Sequence, residues 1–144
     1  MLDWLSNLKT VSRDVEFLPP AREEVIAEAE RAVGTIPPEL REVLTQTNGL
    51  ACRSFRLLSV FDRDQPKKSW ESLQRANDPK TTEALGGDQE LLARFLVFAD
   101  IGGGVAVWDR TEGSIWFEET RDDQLRQTDL SLRDFVETMV RNAD

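Results

Sequence analysis

The chain of 144 residues has no histidine, no tyrosine and a single cysteine, Cys52. Without histidine there is no Ser-His-Asp or Cys-His constellation, no imidazole acid or base, and no histidine ligand for zinc. One cysteine excludes an internal disulfide, a thiolate zinc site and a CxxC redox pair, and it suits a reducing cytoplasm. Cys52 itself lies in an apolar run and reads as a small buried side chain, since a lone nucleophile would need a base other than histidine. No apolar run approaches the roughly 20 residues that a membrane-spanning helix requires. The opening residues, Met1 to Lys9, lack the basic-then-apolar order of a secretory signal.

Basic residues are also short, 18 against 27 acids, for a net charge of −9. That balance points away from nucleic acid, whose phosphates demand a basic surface. The deficit is uneven. Residues 1–50 carry nine acids and five bases, and residues 101–144 carry ten acids and five bases. An acidic surface serves solubility, and it can also steer a basic partner. Charged and apolar contents of 31% and 40% are those of one soluble globular domain, long enough to bury a core without staples.

Met1 to Leu8 can form a short amphipathic helix within an N-terminal extension of residues 1–18, and Thr10 to Glu16 reads as a linker. Pro19 and Pro20 are expected to open a helix, followed by Glu23 and Glu24 in the first turn and by Val25, Ile26, Ala29 and Val33 on one face. Gly34 stops it. Pro37 and Pro38 lead a second helix with Leu40, Val43, Leu44 and Thr47 at helical spacing, ended by Asn48 and Gly49. Leu50 to Phe61 alternates as one or two strands, interrupted near Arg53 and Ser54. Ser69 is expected to cap a short helix through Ala76 that turns Trp70 and Leu73 inward. One helical turn fits Thr81 to Leu85, and Asp88 can cap another that carries Leu91 and Leu92.

Phe95 to Ala99, Val105 to Trp108 and Ile115 to Phe117 are rich in β-branched and aromatic residues and are separated by turn residues. They predict a three-strand antiparallel meander at the centre of a sheet. Ser131 opens a closing helix with the stripe Leu132, Phe135, Val136, Met139 and Val140, and Asp134 completes an approximate capping box. Helices, then strands, then a helix give an α+β class: a central, largely antiparallel sheet with an N-terminal helix pair and a C-terminal helix packed on it.

Gly102-Gly103-Gly104 matches neither phosphate-loop pattern and is followed by a strand where those motifs need a helix, so it reads as a turn or bulge. The remaining catalytic material is carboxylate. Asp100, Asp109, Glu112, Glu118, Glu119, Asp122 and Asp123 crowd the meander's turns and exit. Two of them paired as acid and base would make an enzyme, but their spacing matches no calcium loop, and acids at turns are ordinary surface. No cofactor or metal site is expected. Trp108 and Trp116 give the hairpin bulky groups on both faces. Either helices cover both, or one face is partly open to a partner. Asp109, Glu112, Trp116, Glu118, Glu119, Asp122 and Asp123 therefore form the candidate protein interface.

Taken together, the helix followed by Gly34-Thr35-Ile36-Pro37-Pro38-Glu39-Leu40, the helix ending in Asn48-Gly49, the meander and the closing Ser131-Leu132-Arg133-Asp134-Phe135-Val136 resemble the SUKH superfamily. That superfamily includes the Smi/Knr fungal cell-wall regulators and the bacterial Syd proteins. The likeness runs from about Ala21 to Val140, with Ile36 in place of the usual leucine and no clear match over residues 62–94. It implies an α+β domain with no enzymatic site, in which Gly34, Ile36, Pro37, Asn48 and Gly49 determine the fold. Bacterial relatives of this kind bind and neutralise a cognate toxin, often a nuclease, so the implied partner is a basic toxin domain. A regulatory or scaffold role of the Knr or Syd type is the alternative.

Overall fold

The structure is a computed structural model that describes residues 1–119 and 124–144. Seven antiparallel strands pair in simple sequence order into one meandering sheet. They are β1 (Glu16–Phe17), β2 (Leu50–Cys52), β3 (Phe55–Leu57), β4 (Phe95–Asp100), β5 (Gly104–Asp109), β6 (Ile115–Glu119) and β7 (Leu125–Gln127). The expected central meander is β4–β5–β6. The break near Arg53 and Ser54 is the turn between β2 and β3, with Arg53 at a φ of 54°. β7 lies in a segment that the residue pattern presents only as acidic, and it forms one edge of the sheet.

Helices α1 (Asp3–Ser6) and α2 (Leu8–Val11) pass into β1 at the other edge. Leu5, Leu8 and Val15 are buried in the same apolar cluster that extends to Val140. Residues 10–16 are thus not a free linker, because they finish α2, bury Val15 and enter β1. Helix α3 (Glu23–Val33) begins three residues after Pro20, later than its prolines suggest. Pro19 and Ala21 instead run against the end of helix α4 (Pro38–Gln46): Ala21 donates its N–H to Leu44, and Asn48 donates to the Pro19 carbonyl. Gly34 ends α3 at a φ of 89°, and Pro38 opens α4 in its first turn. The short connection is held by Glu30, which accepts from the Ile36 N–H and from Arg41.

Cross-strand register assigns the faces, because directly paired residues share one side of an antiparallel sheet. Leu50, Leu57, Ala99 and Ala106 make one buried row. On that side the final helix α7 (Leu132–Asn142) inserts Phe135 between Phe55 and Phe98, with ring centroids 6.1 and 5.6 Å away. The Ser131 hydroxyl accepts from the Asp134 N–H, as the capping pattern predicts. Ala51, Arg56, Asp100, Val105, Glu118 and Leu125 form the next row on the opposite side, and none of them is buried.

The far end of that second side is covered by residues 73–94, which include helix α5 (Leu73–Ala76), a 3₁₀ turn (Ala84–Gly87) and helix α6 (Gln89–Arg94). Beyond Phe98, whose carbonyl accepts from Leu58, strand β4 has no β3 neighbour. Asn77 takes that place with its amide, accepting from the Val97 N–H and donating to the Val97 carbonyl at 2.8 Å each. Asp88 caps α6, as anticipated. Ser69 does not cap α5. Ser72 does, while Ser69 is buried and bonds Asp62 and Gln65. Trp70 consequently points outward, 54% exposed, and Leu73 alone turns inward.

Candidate protein interface

Strands β5 and β6 hold the two tryptophans on opposite sides. Trp108 faces α7 beside Phe98, and Trp116 packs edge-on against Phe95, their ring centroids 5.6 Å apart. Trp116 is half-buried, and its indole N–H donates to Ser114.

The predicted acids divide into two groups. Asp109 and Glu112 stand at the β5–β6 turn, and Glu118 and Glu119 at the far end of β6. Seven residues of chain at about 3.3 Å each separate Glu112 from Glu119, on the order of 20 Å. Glu112 and Glu119 are exposed. Glu118 is half-buried, and its carboxylate accepts from the Leu85 N–H, tying the 3₁₀ turn to the sheet. Asp122 and Asp123 lie outside the described residues.

Asp109 is not a surface acid. It is wholly buried at the end of β5. Its Oδ1 accepts from the Thr111 and Glu112 N–H groups at 2.9 and 3.3 Å, and Arg94 donates to both carboxylate oxygens. Burial pushes this carboxyl up, but Arg94 and the two backbone donors outweigh burial and hold it below its ordinary range. A folded-state value below the unfolded one of about 4 means that Asp109 stabilises the fold above that pH and loses its contribution as the pH falls further. Asp109→Asn keeps the shape but not the charge. It is expected to cost about 2 kcal/mol at neutral pH and to flatten the acid limb of stability against pH in urea titrations. An unchanged acid limb would show that Arg94 and the turn do not depend on the charge.

The turn that Asp109 holds meets the loop between α3 and α4. Arg110 donates to the Val33 carbonyl at the C-terminal end of α3, a favourable place for a cation. Its guanidinium lies over Gly34, where an added Cβ would come within 2.5 Å of Nη1. Burial pulls the Arg110 pKa down. Pro37, Pro38, Glu39, Trp108, Arg110 and Gly113 line a cleft of about 560 Å³. A second cleft of about 350 Å³ shares Glu39, Trp108 and Gly113 with it and extends past Trp4, Glu42 and Leu130 to the start of α7.

Two motifs that are about 70 residues apart in sequence thus form one surface: an aromatic floor of Trp4 and Trp108 with Glu39, Glu42, Arg110 and Arg133 around it. Sequence reasoning assigns Glu39 to a helix start and Trp4 to the N-terminal amphipathic helix, and it gives Glu42 no role. Their spacing carries no signal, because only the packing of α1 and α4 beside the β5–β6 turn makes them neighbours. Among the described residues, no group of three or more cysteines and carboxylates is arranged to hold a metal ion. No helix there is long and apolar enough to cross a membrane.

A family model described as SMI1 / KNR4 family (SUKH-1) matches residues 20–138. The match includes α3, α4 and the whole sheet except β1, and it reaches well into α7. No curated protein matches the chain.

Proposed function

From the premise that the chain belongs to the SMI1 / KNR4 family (SUKH-1), we propose that it is a non-enzymatic binding domain that neutralises a cognate toxin by covering a basic, nuclease-type surface. The observation that carries this reading is the aromatic cleft between the start of α4 and the β5–β6 turn, with Glu39 and Glu42 among its charged lining. Large aromatic side chains with a polar rim are the composition of a protein-binding centre. A chain of net charge −9 also draws a basic partner in quickly. An inhibitor of this kind needs complementarity and no reaction chemistry, in keeping with a chain that has no histidine and one buried cysteine.

The test is co-purification with the product of the neighbouring gene, followed by association kinetics at low salt. Two sets of charge reversal separate the two ends of the hairpin. Lysine at Glu39, Glu42 and Glu112 is expected to slow association about tenfold and to weaken its salt dependence. Lysine at Glu118, Glu119, Asp122 and Asp123 is expected to have a smaller effect if the cleft is the docking centre, and a larger one if the β6 exit is. Unchanged rates for both sets would remove the acidic surface from the mechanism. A neighbouring partner that is not a toxin would favour the regulatory role.

A further inference from the structure

The second side of the sheet carries a groove richer in cations. It lies where β1, Ala51 and Arg56 meet the loop from Lys67 to Glu71, and it encloses about 580 Å³. Its polar rim contains Lys9, Arg56, Lys67 and Lys68, and its apolar wall is built by Phe17, Pro19 and Trp70. Four cations in one groove stand out in a chain with 27 acids and 18 bases. Elsewhere six arginines, Arg22, Arg41, Arg53, Arg63, Arg94 and Arg133, are each paired with a carboxylate. Among the described residues, none of the four groove cations has a carboxylate within ion-pair distance, although Glu16 and Glu71 line the same groove. Lys9 lies over the Phe17 ring at 5.7 Å. Trp70, the most exposed tryptophan, is backed by Arg75 at 4.5 Å from its ring and so is held in place without being covered.

We infer that this groove binds an acidic, extended peptide segment of a partner protein. Unpaired cations around an exposed tryptophan provide both the charge and the desolvated anchor that recognition of an acidic segment uses. β1 has a strand neighbour on the β2 side only, and an extended backbone is the shape that lies along it. A polyphosphate is the poorer occupant. Its denser charge would face Glu16 and Glu71 at close range and the net charge of −9 at long range, whereas a peptide also offers N–H donors to those two carboxylates. The surface is distinct from the cleft at the β5–β6 turn, so two partners, or two segments of one, can be held at once.

The experiment is fluorescence anisotropy of a labelled octapeptide alternating glutamate and valine, titrated with the whole chain at low salt. Saturable binding that weakens as salt is raised is expected. Lys67→Glu with Lys68→Glu, both on an exposed loop, should weaken it at least about tenfold, and Trp70→Ala severalfold. The control reversal of Arg13 and Arg31 should leave it unchanged. Absence of peptide binding, equal binding by the Lys67/Lys68 variant, or tighter binding of a single-stranded oligonucleotide of equal charge would each overturn the assignment.

Discussion

Asn48→Ala is expected to destabilise the fold by about 3 kcal/mol, seen as a lower urea midpoint with an unchanged slope. Asn48 is buried, and its amide brackets one residue of a distant segment. Nδ2 donates to the Val60 carbonyl at 2.9 Å, and Oδ1 accepts from the Val60 N–H at 2.8 Å. The Ser59 hydroxyl donates to the Asn48 carbonyl at 2.6 Å. Val60 is fully buried, so alanine would leave a donor and an acceptor with no partner, each costing about 1–3 kcal/mol. Asn48→Asp is a sharper version of the same test. It retains acceptance from the Val60 N–H but replaces the donor with a buried negative charge facing a carbonyl, so it is not expected to rescue stability. If Asn48→Ala proved neutral, the amide bracket would contribute no stability. The adjacent Gly49 is equally constrained, at a φ of 85° with Leu57 backbone oxygen 2.5 Å from an added Cβ.

Gly104→Ala should be the most damaging change in the triple-glycine run, again about 3 kcal/mol, while Gly103→Ala should change stability by less than about 0.5 kcal/mol. A Cβ on Gly104 would overlap the Glu118 carbonyl and crowd the Glu119 Cα, both of them backbone atoms in the neighbouring strand. Gly104 pairs directly with Glu119, so relief requires β5 and β6 to separate at that end. An added Cβ on Gly103 meets nothing within 4 Å. Gly102 belongs to the turn itself, at a φ of 87° with its N–H donated to Asp100. Thermal unfolding of the two single variants gives the comparison. Equal losses would mean that the run is needed only for chain flexibility, and a loss confined to Gly104 would mean close strand approach.

The triple glycine illustrates how far the residue pattern reaches. A turn is legible from Gly102 and Gly103, and its position between two β-rich runs excludes a phosphate loop. Nothing local distinguishes Gly104, because the atom that forbids a side chain there belongs to Glu118, 14 residues later in the chain. Helix α7 is the opposite case. Its apolar stripe, its serine cap and its packing on the sheet follow from spacing, and the fold then supplies Phe55 and Phe98 as the partners of Phe135. Ser69 and Ser72 are intermediate: both precede a helix-like run, and only the bond from the Arg75 N–H to Ser72 decides between them. Asp109 shows the limit for charge, because an acid at a predicted turn is read as surface until Arg94 is found beside it.

By itself, the amino-acid order determined the helices with apolar stripes, the β4–β5–β6 meander, the α+β class and the lack of histidine or thiol chemistry. Each of these depends on residue type and on spacing over a few positions. Tertiary structure alone decided that Asn48 and Asn77 bracket the backbones of Val60 and Val97, and that the buried Asp109 is paired with Arg94. It also decided that Trp4, Glu39 and Trp108 share one cleft, and that four unpaired cations gather beside Trp70. Except for Lys67 and Lys68, which are near Trp70 in sequence, these bring together groups 12 or more positions apart, set by how the helices and loops fold onto the sheet, and local spacing carries no record of them.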